Sequence, residues 1–383
     1  MHGFDTIVVG GGILGSATAY HLSRHGRRVL VIDQEDRIPN PHGSSADHAY
    51  IFRLTHGKDS FYTELGVKSL QMWKQLQHET SIEFLESTGM LDLAVGTCKH
   101  EEASAKVLKE LKVPFQRLET AELLDQYRIL RKKACRFALY HQDGGILWAQ
   151  RAIEAFHKAA LRRGSRTALG VRIVKVLRDK TGIVGLRDSK GKVWKAPTYV
   201  FAAGPWTKEL LSDYGLPLRV TSQHMLYLRP PRNQGRYRAP HFPVFSCSAR
   251  GIHGFPVHVH GFMKFGREKE GPLCKDVRST DRPDPSFQRT VRAFLKDFFP
   301  DLGGFTELED RVHHAVRTPD GDFILDRLPD AENAVVAVGF CGLAPMFAPL
   351  IGKEAAALLL KERPDINLHR FRLDRLKFKK PRR

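Results

Sequence analysis

Long hydrophobic runs are missing from these 383 residues. No apolar stretch approaches the roughly 20 residues that a membrane-spanning helix needs. No basic region, apolar core and small-residue cleavage site precede the first apolar segment, so export is not expected. Cysteine is scarce: Cys98, Cys135, Cys247, Cys274 and Cys341 are scattered, with no C-x-x-C pair. That spacing argues against a zinc site or a disulfide framework, so no metal and a reducing, cytoplasmic setting are expected. Internal repeats, low-complexity tracts, a Ser-His-Asp set and paired-carboxylate motifs are also absent. Acidic residues are outnumbered, with 61 Lys and Arg against 42 Asp and Glu, a formal charge of +19. The basic residues are spread out, with short clusters only at Arg131-Lys132-Lys133 and in the tail 377–383. No aromatic-interleaved basic motif accompanies them. The expectation is therefore a solvated basic surface with no nucleic-acid partner, the tail being a candidate electrostatic contact.

Hydrophobic content of 42% and charged content of 27% fit a globular chain long enough for two cores. Its organising stretch is FDTIVVGGGILGSATAYHLSRHGRRVLVID, residues 4–33. Ile7 to Val9, with Phe4 ahead of them, read as a buried strand. Gly10-Gly11-Gly12-Ile13-Leu14-Gly15 then matches G-x-G-x-x-G. An amphipathic helix stopping at Gly26 follows, and a second strand, Val29 to Ile32, ends on Asp33. Gly10 permits a tight turn, Gly12 lets a pyrophosphate approach the backbone, and Gly15 lets the helix pack on the sheet. The helix N-terminus offers free N–H groups to phosphate, and Asp33 is placed to accept from a ribose diol. Strand, glycine turn, helix and acidic strand end together predict a dinucleotide site.

A loop with Pro39 and Pro41 leads into the small-residue segment Gly43-Ser44-Ser45-Ala46-Asp47-His48-Ala49, suited to pass close to a flat ligand. Apolar spacing predicts helices over 61–78 and 149–163, and two more within 100–130 around Val113-Pro114. A strand at 89–94 begins a second domain. Further strands are expected at 171–177, 182–187, near Val193, at 199–203 and through 220–265. A helix over 284–299 follows, and then the opening pattern returns as strand 334–338, loop Gly339-Phe340-Cys341-Gly342 and helix 348–360.

Over about 4–375 these segments resemble the monomeric sarcosine oxidase and N-methyltryptophan oxidase group of the D-amino acid oxidase-like flavoproteins. The resemblance rests on the fingerprint, GSSADHAYIFR, FAAGPW, the GIHGFP and GFMKFG pair, TPDGDFILD and GFCGLAPMF, in that order. It implies a two-domain α/β (α+β) fold in which a Rossmann-like FAD-binding domain (1–88, 145–215, 308–375) is interleaved with an antiparallel-sheet substrate domain (89–144, 216–307), followed by a basic tail (376–383). It implies FAD rather than NAD, and oxidation of a small-molecule amine or amino acid by hydride transfer to the flavin. The cofactor contacts it implies are Gly10, Gly12, Ile13, Leu14, Gly15, Asp33, Gln34, Ser44, Ser45, Arg53, Ile173, Ala203, Gly204, Trp206, Gly339, Phe340, Gly342, Leu343, Ala344 and Met346. Its catalytic candidates are Lys264, Arg53, His253 and Met346. Lys264 falls on a lysine that activates oxygen, the alternative being a strand lysine that faces solvent. Arg53 falls on an arginine that binds a substrate carboxylate, the alternative being an arginine tied to a local carbonyl.

The departures shape the expectation. The covalent-flavin cysteine should precede TPDGDFILD, but residues 311–318 read RVHHAVRT, so non-covalent FAD is expected, with a histidyl link through His313 or His314 the remaining alternative. A carboxylate-binding lysine is replaced by Met346, an arginine by Tyr50, a histidine by Ala46 and a tyrosine over the flavin by His253. A larger or less anionic amine fits these losses. His253 either orients the amine or is a structural histidine. Oxygen is the expected acceptor; a quinone or an electron-acceptor protein, and a flavin-carrying subunit without turnover, are the competing readings.

Overall fold

The computed structural model describes residues 3–131, 135–230, 235–274, 276–277 and 284–376. The expected basic tail and most of the Arg131-Lys132-Lys133 cluster lie outside them. Strands are numbered β1–β20 and helices α1–α8 in chain order.

Short runs of buried β-branched residues build a six-stranded sheet in the order β19-β20-β13-β1-β2-β9. These are β1 (Thr6–Val9), β2 (Val29–Ile32), β9 (Arg166–Ala168), β13 (Thr198–Phe201), β19 (Ile324–Leu328) and β20 (Ala331–Val338). All neighbours are parallel except β19–β20. A parallel sheet needs cover on both faces, and period-two alternation supplies two apolar surfaces. Val8, Val31, Val200 and Val335 face the helix-side core with α1 (Ile13–Arg24), α5 (Ala149–Arg162) and α8 (Ala344–Leu360). Ile7, Val9, Leu30, Ile32, Tyr199 and Phe201 face a three-stranded antiparallel sheet of β10 (Ile173–Asp179), β11 (Gly182–Asp188) and β12 (Val193–Trp194).

The eight-stranded sheet, in the order β18-β14-β17-β16-β15-β5-β7-β6, is antiparallel except for the β15–β5 pair. Its strands are β5 (Met90–Ala94), β6 (Gln116–Glu119), β7 (Phe137–His141), β14 (Arg219–Arg229), β15 (Val244–Cys247), β16 (Ile252–Gly254), β17 (Met263–Arg267) and β18 (Thr306–Arg317). One face, with Leu226, Leu228, Phe245, Met263 and Phe265, packs on α7 (Pro285–Phe298). Helix α7 presents Phe287, Val291, Phe294, Leu295 and Phe298, a helical stripe, and the Asp284 carboxylate caps it by accepting from the Ser286 N–H at 2.8 Å. The opposite face is polar, and the candidate site occupies it. A small sheet of β3 (Tyr50–Phe52), β8 (Gly145–Leu147) and β4 (Leu85–Glu86) accompanies α2 (Ser60–Thr80); α3 (Lys99–Glu110), α4 (Thr120–Gln126) and α6 (Thr207–Leu210) complete the helices.

Several expectations need correction. Helix α1 is not amphipathic: Ile13 to Ser23 are all buried, because α5 and α8 pack against it as well as the sheet. Strands β3, β4, β6, β9, β18 and β19 go unrecognised in the sequence; β6 separates the two helices expected side by side in 100–130. The boundary expected at 308 falls inside β18, which pairs with β14 from Thr306 to Arg317 as one strand of the eight-stranded sheet. The last helix begins at Ala344, four residues early, because a proline such as Pro345 is tolerated in a first turn.

Helices α1 and α8 approach closely at Gly352, where a Cβ would stand 2.6 Å from the Ala17 carbonyl carbon and 2.9 Å from the Thr18 nitrogen. Backbone cannot yield as a side chain can. Gly352→Val is expected to cost about 1–3 kcal/mol or more through overpacking, seen as a lower thermal midpoint. An unchanged melting curve would show that the two helices are not held at this distance.

Candidate active site

The fingerprint turn is built as its glycines demand. Gly10 adopts φ +104°, and a Cβ there would meet the Ala202 oxygen at 2.4 Å; a Cβ on Gly15 would lie 1.8 Å from the Gly10 oxygen. Nothing lies within 4 Å of the place a Gly12 Cβ would take. Helix α1 starts there with no side-chain cap and no acidic residue in its first turn, so its N–H groups are open to an anion. Helix α8 starts in the same way after the loop 339–342, with Leu343 as its N-cap.

Both helix starts border one groove. Of the expected contacts it is lined by Gly10, Gly12, Ile13, Leu14, Asp33, Gln34, Ser44, Ser45, Ile173, Ala203, Gly204, Trp206, Gly339, Phe340, Gly342 and Ala344. Gly15, Arg53, Leu343 and Met346 do not line it: Gly15 packs beneath the turn, and Met346 is 2% exposed in the core. Asn40, Arg172 and Val316 line it without any motif to mark them, and so does Cys341, which lies inside GFCGLAPMF but is not among the expected contacts. The Asp33 carboxylate is buried and accepts from the Gly11 N–H at 2.7 Å, and from the Glu35 N–H and Asn40 Nδ2, both at 3.0 Å. The Gln34 backbone N–H also acts on this carboxylate, so most of its roughly four acceptor positions are engaged within the protein. The Ser44 Oγ and the Trp206 Nε1, both from lining residues, are buried with no hydrogen-bond partner among the described residues. A groove with two uncapped helix starts, an open glycine and two orphaned polar atoms suits a large dinucleotide.

The catalytic candidates lie elsewhere, on the polar face of the eight-stranded sheet. Asp92 pairs with Ser246, Ser246 with His253, His253 with Gly266, and Gly266 with Met225, a row crossing five strands. One step along, Lys264 pairs with Tyr227. Lys264 does not face solvent: it is 2% exposed, its Nζ lies 2.6 Å from the Asp47 Oδ2, and it donates to the Ala49 carbonyl. Asp47 also accepts from the Tyr227 hydroxyl and from the His48 N–H, and His313 Nδ1 stands 3.7 Å away. Burial alone would raise the Asp47 carboxyl, but the Lys264 charge, with the Lys264 and Tyr227 hydrogen bonds, outweighs it and holds the carboxyl well below the usual range. Burial lowers Lys264, and the Asp47 charge opposes that fall. Asp47, the counter-charge of Lys264, is not among the residues expected at the site.

Arg53 is not tied to a local carbonyl. Its guanidinium donates to the Glu268 carboxylate at 3.0 Å, and the Ser246 hydroxyl donates to the same oxygen at 2.8 Å. The Arg53 charge outweighs burial and holds Glu268 below its ordinary value. Behind this pair, burial pushes Asp92 up to about 7, with the Thr55 hydroxyl donating to it at 2.8 Å. His253 sits among both pairs, close enough to feel Glu268, Lys264, Arg53 and Asp47, and burial lowers it to about 4. Burial likewise lowers His313 to about 4. Met346 contributes its carbonyl to the Trp73 indole N–H at 3.1 Å, not a polar side chain.

Residues 5–358 match the model of the family described as DAO, FAD dependent oxidoreductase. The chain belongs to that family. It is 30% identical to the human peroxisomal sarcosine oxidase over 97% of its own length and 96% of that protein's. It is 25% identical to the N-methyl-L-tryptophan oxidase of Salmonella arizonae, over 97% and 99% of the two chains. The fold is similar to that of the solved L-proline dehydrogenase of P. horikoshii, with TM-score 0.86 and 21% identity over 97% and 98% of the two chains. It is also similar to glycine oxidase from Geobacillus kaustophilus, with TM-score 0.84 and 20% identity over 98% and 100%. The protein is thus an FAD-dependent oxidoreductase of the class that acts on CH–NH bonds, as the motif order implies.

The Lys264–Asp47 pair makes a direct test. Asp47→Asn leaves a buried ammonium without its counter-charge, an expected loss of about 3–5 kcal/mol in unfolding free energy. The double variant Asp47→Asn/Lys264→Met is expected to lose less than Asp47→Asn alone. Losses that simply add in denaturant unfolding would show that the two groups are not coupled.

Proposed function

We propose that this enzyme oxidises a secondary amine at the carbon beside nitrogen, with oxygen as electron acceptor, giving an imine and hydrogen peroxide. The supporting observation is the buried ammonium of Lys264 on the sheet face that also carries His253. FAD supplies the two-electron acceptor when bound. The residues that would hold it are those of the groove: the N–H groups at Gly12, Ile13 and Leu14 for the pyrophosphate, Asp33 for ribose, and Ser44, Ser45 and the α8 start for the ring system. The orphaned Ser44 and Trp206 donors fit that occupant.

The chain's own chemistry is then modest. An amine gives up hydride only when its nitrogen lone pair is unprotonated, and His253, held neutral by burial, is available to accept a hydrogen bond from the N–H of that nitrogen. Water completes the reaction by hydrolysing the imine. Lys264 holds a positive charge where oxygen would acquire electrons, an electrostatic contribution. Non-covalent attachment is supported by the residues within reach. His313 replaces a thiol with a neutral imidazole turned to Asp47, and burial raises the thiol of the groove residue Cys341.

One observation favours a second reading. Asp47 stands 2.6 Å from the Lys264 ammonium and cancels much of its field, which would suit a quinone or protein acceptor in place of oxygen.

Anaerobic mixing with secondary amines is expected to bleach the flavin band, and air is expected to restore it with one peroxide per amine. Lys264→Met is expected to slow reoxidation about 100-fold while leaving bleaching within a few-fold. Restoration at an unchanged rate would remove Lys264 from the oxygen step. Restoration by a quinone but not by air would establish the second reading, and no bleaching by any amine would end the amine-oxidation reading. Acid precipitation is expected to leave the yellow colour in the supernatant; colour in the pellet would mean covalent FAD.

A further inference from the structure

Two ion pairs surround His253, and in each the cation already has a carboxylate of its own. Lys264 is paired with Asp47 and the Ala49 carbonyl. Arg53 is paired with Glu268, which Ser246 also holds. The pairs differ in access. Lys264 and Asp47 have side chains 2% and 1% exposed, whereas those of Arg53 and Glu268 are 21% and 29% exposed, so a small molecule can reach the second pair only. A third carboxyl, Asp92, lies behind it and has a hydroxyl partner, Thr55, in place of a cation. The Arg53 and Glu268 charges both act on Asp92. Met346 brings no charge.

This arrangement disfavours an anionic substrate. A carboxylate approaching Arg53 would have to displace Glu268, which would then face Asp92 with only the Ser246 hydroxyl to hold it. Displacing one member of a half-buried, hydrogen-bonded pair leaves an unpaired charge in a poorly solvated place. A cationic or N–H-donating group meets no such conflict, because Glu268 keeps acceptor capacity on its second oxygen while Arg53 stays paired.

We propose that the substrate is an amine bearing no free carboxylate beside the nitrogen, and that Glu268 is the residue that selects it, by accepting from the substrate's N–H or ammonium and by occupying Arg53. The inference rests on the amine-oxidation reading for its chemistry, though not for its binding. Glu268 thereby becomes a specificity-determining residue and Arg53 its anchor, rather than a receiver of substrate.

The test uses the FAD-loaded full chain and two matched pairs of small molecules. N-methylglycine and N-methylglycinamide share a skeleton and differ in carboxylate against amide; propionate and propionamide make the same contrast with no oxidisable amine. Anaerobic bleaching is expected at half-saturating N-methylglycinamide at least about tenfold below N-methylglycine, and propionamide but not propionate is expected to perturb the flavin spectrum. Glu268→Ala is expected to invert both preferences, because it frees Arg53, and Glu268→Gln, which retains the Ser246 contact, is expected to weaken them. A wild-type enzyme that binds propionate and prefers N-methylglycine, with Glu268→Ala making no difference, overturns the proposal while leaving amine oxidation intact. Spectral shifts with the expected preference but no bleaching by any amine would support Glu268 as the selecting residue and end the amine-oxidation reading instead.

Discussion

Much of this molecule's arrangement depends on one buried ion pair. Lys264 comes from the eight-stranded sheet and Asp47 from the loop that borders the cofactor groove, and both are almost fully enclosed. Removing two charges from water costs several kcal/mol each, offset only when geometry and extra hydrogen bonds are good. Here the Ala49 carbonyl takes a second ammonium donor, while the Tyr227 hydroxyl and the His48 N–H satisfy the carboxylate. Such a pair adds little stability over apolar residues of the same size. It does set register. Ala49 meets Lys264, and Arg53 meets Glu268, both across a separation of 215 residues. The two segments belong to different sheets, and these side-chain contacts fix how one is placed on the other. A slip of one residue would break both pairs and leave four charges uncompensated.

The cofactor half was legible because its signals are local. A short apolar strand, the glycine turn in which Gly15 packs on the Gly10 carbonyl, and an acidic strand end all lie inside 4–33, although the tightest approach at Gly10 is to distant Ala202. Helix α7 was legible for the same reason, since Asp284 and the stripe from Phe287 to Phe298 are neighbours in sequence. Strand β18 was not. Its residues Glu309, Arg311 and His313 alternate on a polar face at the edge of a sheet, and a bulge turns Glu307 to the other side, where it meets Arg292 of α7, so hydrophobic periodicity, the signal that identifies strands, is missing. Helix α1 misled in the opposite direction: Ser16, Thr18, His21 and Ser23 look like a solvent face, yet all are buried. The Ser16, Thr18 and Ser23 hydroxyls are accommodated by donating to carbonyls of Gly11, Leu14 and Tyr20.

The partners of the catalytic candidates were illegible for a further reason. Resemblance located Lys264 and Arg53, but a motif names a residue and not what neutralises it. Asp47 lies inside GSSADHAYIFR and Glu268 just past GFMKFG, but nothing in either motif pairs them with cations more than 200 residues away. The charge state of the site is therefore a tertiary property, visible only once the 43–56 segment is laid across the sheet.

The separation of duties on the eight-stranded sheet explains how such a site can differ while the fold persists. Along β17, Met263 and Phe265 point into the core with α7, and Lys264 and Gly266 point to the other face. Along β15, Phe245 and Cys247 do the former and Ser246 the latter. Burial of the apolar face carries the folding energy, at roughly 25 cal/mol per Å². The polar face contributes little net stability as long as its charges remain paired. Substitutions there are consequently constrained by mutual compensation more than by packing: a carboxylate can enter where a cation awaits one, as Glu268 does opposite Arg53. The fold can thus persist while substitutions on the polar face change the charge presented to whatever approaches His253.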